Sequence, residues 1–165
     1  MCLNLKKCIF VSSSVQYLGH TVTAKGVTPG KEKTDAIAKA SEPSCQKKLR
    51  SFLGLANYFH SYIPRYAQLA DPLFQLTRKA SEWKENTPLP DEARAAFEKI
   101  KAAIVSKPCM AYPSRKGKYT LQVDTAQGDA KNAGGIGAVL LQEQPDGTKR
   151  PIGFASRQLY AYEKN

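Results

Sequence analysis

Between Ser44 and Pro64, apolar side chains return at steps of three and four residues: Leu49, Phe52, Leu53, Ala56, Phe59 and Ile63. That spacing puts them on one face of an α-helix, which is stable only if the face is buried against other elements. Ser44 is a candidate N-cap. Pro64 stops or kinks the run, since it has no N–H to donate. Gly54 lowers the helix propensity, which suggests close packing against another backbone. This segment commits the chain to a helical core, and its neighbours must supply the opposite wall.

Those neighbours are legible. A short helix is predicted over 31–41, with Ile37 among small alanines and Pro43 as its end. Residues 66–76 carry Tyr66, Leu69, Ala70, Leu73 and Leu76 on one side, with a break near 71 imposed by Pro72. Residues 77–90 are polar and read as a connection anchored by Trp83. Asp91 and Glu92 suit the positive end of a further helix. Its stripe is Ala93, Ala96, Phe97, Ile100, Ala103 and Ile104, and it ends near Pro108. Upstream, residues 8–11 are a strand candidate, 12–14 a turn, and 15–23 a second strand interrupted by Gly19. Residues 24–26 read as a turn, making a hairpin-like unit.

After Pro108 the period changes from helical to twofold. Tyr119, Leu121 and Val123 alternate on one face of a strand over 119–124. Residues 125–135 read as a loop, 136–142 as a second strand, 145–148 as a turn and 151–156 as a third strand. The expected class is therefore α+β: a β-hairpin unit over 1–30, a helical unit over 31–109, and three antiparallel strands within 110–165. An uncovered three-stranded sheet is marginal in water, so the chain is expected to be a piece of something larger, cut at both ends.

Charge narrows the function. There are 25 Lys and Arg against 14 Asp and Glu, a net charge of +11 spread along the chain. Such a balance favours an anionic partner, nucleic acid first, with a merely basic protein as the plain alternative. Cys2, Cys8, Cys45 and Cys109 match no zinc spacing, and His20 and His60 do not complete one. The thiols are expected to stay reduced, in a reducing compartment. No apolar run approaches the ~18 residues of a membrane helix, and the N-terminus lacks a signal-peptide pattern. An intracellular protein, cytoplasmic or nuclear, with no membrane partner is expected.

Specific blocks now carry a resemblance. Lys7-Cys8-Ile9-Phe10, Val15-Gln16-Tyr17-Leu18-Gly19-His20 and Gly26-Val27-Thr28-Pro29 resemble the end of the palm in Ty3/gypsy-like reverse transcriptases. Leu49-Arg50-Ser51-Phe52-Leu53-Gly54-Leu55-Ala56-Asn57-Tyr58-Phe59, with Tyr62-Ile63-Pro64, resembles the signature helix of their thumb. Ala70-Asp71-Pro72-Leu73, Trp83 and the run from Ala96 to Lys101 fit the continuation. Val123-Asp124 and the blocks at 135–140 and 151–157 resemble the opening of the ribonuclease H domain. The blocks also follow the family order over nearly the whole chain.

The resemblance implies a parent that copies RNA into DNA and cuts the RNA of the hybrid, using Mg2+ or Mn2+. Palm carboxylates would hold two such ions, in a motif ending in adjacent aspartates. The chain has no Asp-Asp pair, so that motif is expected upstream of Met1 and no polymerase chemistry is assigned here.

Asp124 matches the first-strand aspartate, and so is the candidate catalytic residue and metal ligand of the ribonuclease site. One carboxylate cannot hold two metals. The second, a helical glutamate, would lie past Asn165, with Glu163 resembling the glutamate before that helix and Asp129 matching nothing. Thr125-Ala126 replaces the family's Ala-Ser, and the stretch 127–134 is longer than usual. The alternative is thus a non-catalytic, nucleic-acid-binding remnant or a connection-type domain. By itself the chain is expected neither to cleave nor to hold the metal stably.

Tyr17, Leu18, Gly19 and His20 resemble the primer grip, whose work is positional. His20 is expected to be structural rather than an acid–base group. Lys47, Lys48, Arg50, Asn57 and His60 lie off the apolar stripe, where they could meet phosphates and sugars. Tyr58 and Tyr62 remain open between packing and contact. Arg157 is open between a phosphate contact and a salt bridge. The implied partners are the template–primer duplex, the RNA–DNA hybrid, the remaining palm and fingers, and the rest of the ribonuclease H domain.

Overall fold

The computed structural model describes residues 8–78, 81–106, 108–128 and 133–163. Residues 1–7, Lys107 and Asp129 lie outside the described residues. The fold is α+β, as expected: a small antiparallel sheet, a helical unit, and a second antiparallel sheet.

The first sheet is a meander of β1 (Ser14–Tyr17), β2 (His20–Thr23) and β3 (Gly26–Pro29). The strand expected at 8–11 does not form. Ile9 and Phe10 are exposed and no described strand pairs with them. The strand expected over 15–23 is two strands. Tyr17 pairs with His20, and Leu18 and Gly19 between them both have positive φ, 45° and 71°. That is a two-residue hairpin loop of the type whose twist matches the flanking strands. Leucine gives no local signal for it.

The helical unit follows the stripes. α1 (Lys31–Ala38) buries Thr34 and Ile37, and α2 (Gln46–Tyr58) buries Leu49, Phe52, Leu53 and Ala56. A 3-10 turn, His60–Tyr62, carries the chain to Pro64. α3 (Tyr66–Leu69) and α4 (Asp71–Leu76) break where Pro72 predicts, with the proline in the first turn of α4. α5 (Asp91–Val105) buries Ala93, Ala96, Phe97, Ile100 and Ile104. Phe52 and Phe97 meet at 4.4 Å between ring centroids, joining the two longest helices. Each fully buried side chain of this size contributes about 1.5–3 kcal/mol. Two expectations fail here. Cys45, not Ser44, is the N-cap of α2, without a side-chain cap bond. Gly54 packs against nothing: a Cβ there would meet open space.

The second sheet is β4 (Tyr119–Gly128), β5 (Ala133–Glu143) and β6 (Lys149–Gln158), in antiparallel order. The strands run further than expected. Thr125 pairs with Ile136, Ala126 with Gly135 and Gly128 with Ala133, so most of the expected 125–135 loop is ladder. Backbone pairing carries these polar and small residues, whose side chains signal no strand. A register shift between Leu140 and Leu141 sets Leu141 against Pro151, which has no N–H to give the ladder. Gln142 is fully buried, and its amide bonds Ser114 N, Ser114 O and Lys116 O at 2.7, 2.7 and 3.2 Å. Residues 110 and 111 staple the two sheets: Met110 exchanges 2.9 Å backbone bonds with Val27, and Ala111 N donates to Pro151 O. One face of the second sheet looks toward α3. On the other, Tyr119, Leu121 and Val123 remain exposed.

Candidate nucleic-acid interface

The hairpin tip is held against the helical unit by aromatic rings. His20 stacks on Tyr58 at 5.3 Å and on Tyr62 at 5.7 Å, and meets Phe59 edge-on. The Tyr62 hydroxyl lies 3.0 Å from His20 Nδ1. Tyr58 donates to the carbonyl of Leu18, and Lys33 sits 4.3 Å over the Tyr58 ring. Burial, and then the Lys33 charge, hold the His20 pKa below its ordinary value, so the ring is kept neutral. Burial likewise pushes Tyr62 up to about 12. Tyr62 therefore packs, whereas Tyr58 stacks on His20 and keeps its outer side exposed. His20 sits at the joint, while Tyr17 and Leu18 project outward, 64% and 70% exposed. At Gly19 a Cβ would come within 2.6 Å of Lys33 Cε, the far end of a flexible side chain, and the positive φ of 71° is what favours glycine there.

Beyond Tyr58, the outer side of α2 is a strip of exposed residues: Lys47, Arg50, Ser51, Gly54, Asn57 and Tyr58. They recur at three and four residues, the complement of the buried stripe. Arg50 donates to Thr77 O at 2.8 Å, which orients it. Lys48 reaches Ser44 Oγ at 3.0 Å. His60 Nδ1 lies 2.7 Å from Asn57 O. The strip meets the hairpin tip at Tyr58, so the candidates Tyr17, Leu18, Gly19, His20, Lys47, Arg50 and Asn57 lie along one surface.

Asp124 stands apart from that strip. It pairs with Gly137 in the sheet, and Gly137 pairs with Ser156. This row faces the segment after Pro64. Arg65 forms a salt bridge with Asp124, and Ser156 Oγ accepts a 2.8 Å bond from Ala67 N. Gln158 bonds Asp71, and Gln75 holds the other Asp71 oxygen at 2.8 Å. Arg65 has no sequence signal for this role: it is a lone basic residue after a proline. Among the described residues, no group of three or more His, Cys, Asp or Glu could hold a metal ion. A single carboxylate facing a guanidinium does not fit the Mg2+ or Mn2+ of a two-metal site.

Arg157 forms a salt bridge with Glu163, with bonds of 2.7 and 3.0 Å. Those bonds, then that from Tyr160 N, pull the Glu163 pKa down to about 2. Arg157 also borders a cleft with Asn57 and His60, so candidates from around the end of α2 and from β6, far apart in sequence, share one space.

Comparison with known proteins adds the lineage. Residues 89–165 match the family described as an RNase H-like domain found in reverse transcriptase. The Tf2-3 transposon polyprotein of Schizosaccharomyces pombe is 33% identical over 163 residues, which cover 99% of this chain and 12% of that polyprotein. The Tf2-4 polyprotein matches to the same extent. The chain is similar to the Ty3/gypsy-like retrotransposon reverse transcriptases. It also shares its fold with a foamy viral protease–reverse transcriptase solved with dsDNA. The TM-score is 0.75 at 21% identity, over 96% of this chain and 31% of that one. The same viral protein solved with RNA/DNA hybrid gives a TM-score of 0.73 at 21% identity, over 96% and 20% of the two chains. The chain spans about an eighth of the length of the curated relatives it matches. None of its described helices is long and apolar enough to cross a membrane.

Proposed function

We propose that this chain grips the template–primer duplex within a retroelement polyprotein that copies RNA into DNA and cleaves the RNA of the hybrid. The observation that carries the reading is the strip on α2, continuous with the tip at Tyr17 and Leu18. Its centre is Gly54, a helix-weakening residue where a Cβ would point into open space. A glycine on an open helix face, flanked by Lys47, Arg50 and Asn57, lets a second backbone come close while the basic residues meet its phosphates. The net charge of +11 and the nucleic-acid complexes of the foamy viral relatives agree with this.

The reading is tested by binding a blunt RNA–DNA hybrid to the chain across a salt series. Phosphate contacts predict that affinity falls steeply with salt, and that Lys47→Gln lowers the slope by about one. An affinity indifferent to salt would sink it.

For Asp124 two readings stand. In the assembled polyprotein it would be the first ribonuclease H carboxylate, completed by others. The Arg65 salt bridge favours the second, a connection-type sheet in which Asp124 is a joint. Asp124→Asn in the full polyprotein decides between them. Loss of hybrid cleavage with polymerisation intact supports the first reading, and unchanged cleavage supports the second.

A further inference from the structure

We propose that the cleft between the helical unit and β6 is a binding site for an unpaired nucleotide, with its base on the aromatic rim and a polar edge on the Tyr66 hydroxyl. This rests on the nucleic-acid reading above and adds which form of strand the cleft takes.

The cleft has a volume of about 520 Å³, within the range of small-molecule sites. Asn57, His60 and Tyr66 line it from one side, and Arg157 and Tyr160 from the other. Tyr66 is only 4% exposed, and its buried hydroxyl has no hydrogen-bond partner among the described residues. Burial pushes its pKa up to about 12, so it remains a donor at neutral pH. A buried hydroxyl left without a partner is unusual and costly; it is closed to solvent in this conformation, so a slight opening of the cleft wall would bring it to an acceptor on a ligand there.

The rim argues for a base rather than a phosphate. Arg157 already holds Glu163 through two bonds, which offsets its charge. Its guanidinium lies 4.8 Å over the Tyr160 ring, and Tyr160 stacks on Tyr162 at 5.4 Å with 12° between planes. Tyr160 and Tyr162 are 55% and 75% exposed, and Phe74 shows 37%. Flat, exposed rings with little net charge favour stacking over ion pairing. Within a duplex the base faces are covered by their neighbours, so only an unpaired base offers one.

The test compares two probes on the full chain: a blunt RNA–DNA hybrid, and the same hybrid with a short single-stranded DNA extension. The extension should tighten binding about fivefold or more, the size expected of one base–aromatic stack. Tyr160→Ala, Phe74→Ala and Tyr66→Phe should each remove most of that gain and leave blunt-hybrid affinity unchanged. Tyr66→Phe keeps the ring and removes only the unpartnered hydroxyl, so its melting temperature should not fall. Equal affinity for both probes, or a gain that survives all three substitutions, overturns the proposal. Under either result a Lys47-dependent, salt-sensitive affinity for the blunt hybrid would still stand, so the two readings fail separately.

Discussion

The guanidinium of Arg65 engages the carboxylate of Asp124, 59 positions further along the chain. Arg65 reaches it from a left-handed backbone, φ 51°, which a bulky residue adopts only at a cost. Its stem fills the space above Gly137, where a Cβ would come within 2.9 Å of Arg65 Cγ. Both charged groups are more than half exposed, at 61% and 57%, so the ion pair itself contributes at most about 1 kcal/mol. The geometry depends more on the missing Cβ.

Gly137→Ala should therefore destabilise the chain by about 1–2 kcal/mol, as overpacking does. In an Arg65→Ala background, where the stem is gone, most of that penalty should disappear. A double-mutant cycle in denaturant measures the coupling. Penalties that simply add would show that Arg65 and Gly137 are independent.

Gly54→Ala should raise stability by about 0.5–1 kcal/mol, because it sits in a helix with open space around it. Gly54→Leu should leave the fold intact and weaken hybrid binding. Thermal melting and anisotropy on the same samples separate the effects. A Gly54→Leu variant that binds as well as the parent would remove Gly54 from the interface.

Leu18 occupies a left-handed turn position that Asn or Gly would fill with less strain. Leu18→Asn should stabilise the hairpin by about 1 kcal/mol. If the exposed leucine serves the primer grip, affinity for a template–primer should fall as stability rises. A drop in the melting temperature would mean that the strain argument is wrong.

The neutral His20 makes stability depend on pH. Its folded pKa lies below the ordinary 6.5, so the unfolded chain takes up the proton first as pH falls. Stability should be unaffected well above pH 6.5 and should decline as pH drops from there toward the folded value. His20→Asn should flatten this dependence. A pH titration of the denaturation midpoint reads it, and an unchanged slope in the variant would assign the dependence to other groups.

Helical boundaries were legible where a buried stripe has long reach. Leu49 to Ala56 and Ala93 to Ile104 mark α2 and α5 because burial selects the same face turn after turn. Strand ends were not, because Thr125 and Ala126 join β4 through backbone pairing that their side chains do not advertise. The turn at Leu18 and Gly19 was hidden for a related reason: its glycine was visible, but its leucine is a residue that turns seldom use. Of the candidate site, the exposed residues of α2 followed from the stripe by elimination. The Tyr66 hydroxyl did not, since tyrosine on an apolar face reads as packing.

By itself the sequence determined the helical core, the change of period after Pro108, the basic balance and the order of the family blocks. These rest on local periodicity and composition, which act over a few residues. Only the tertiary structure decided that Arg65 meets Asp124, that His20 is locked between Tyr58 and Tyr62, and that Asn57, His60 and Arg157 border one cleft. Such contacts join residues tens of positions apart. They depend on how packed elements place their side chains in space, which no local pattern encodes.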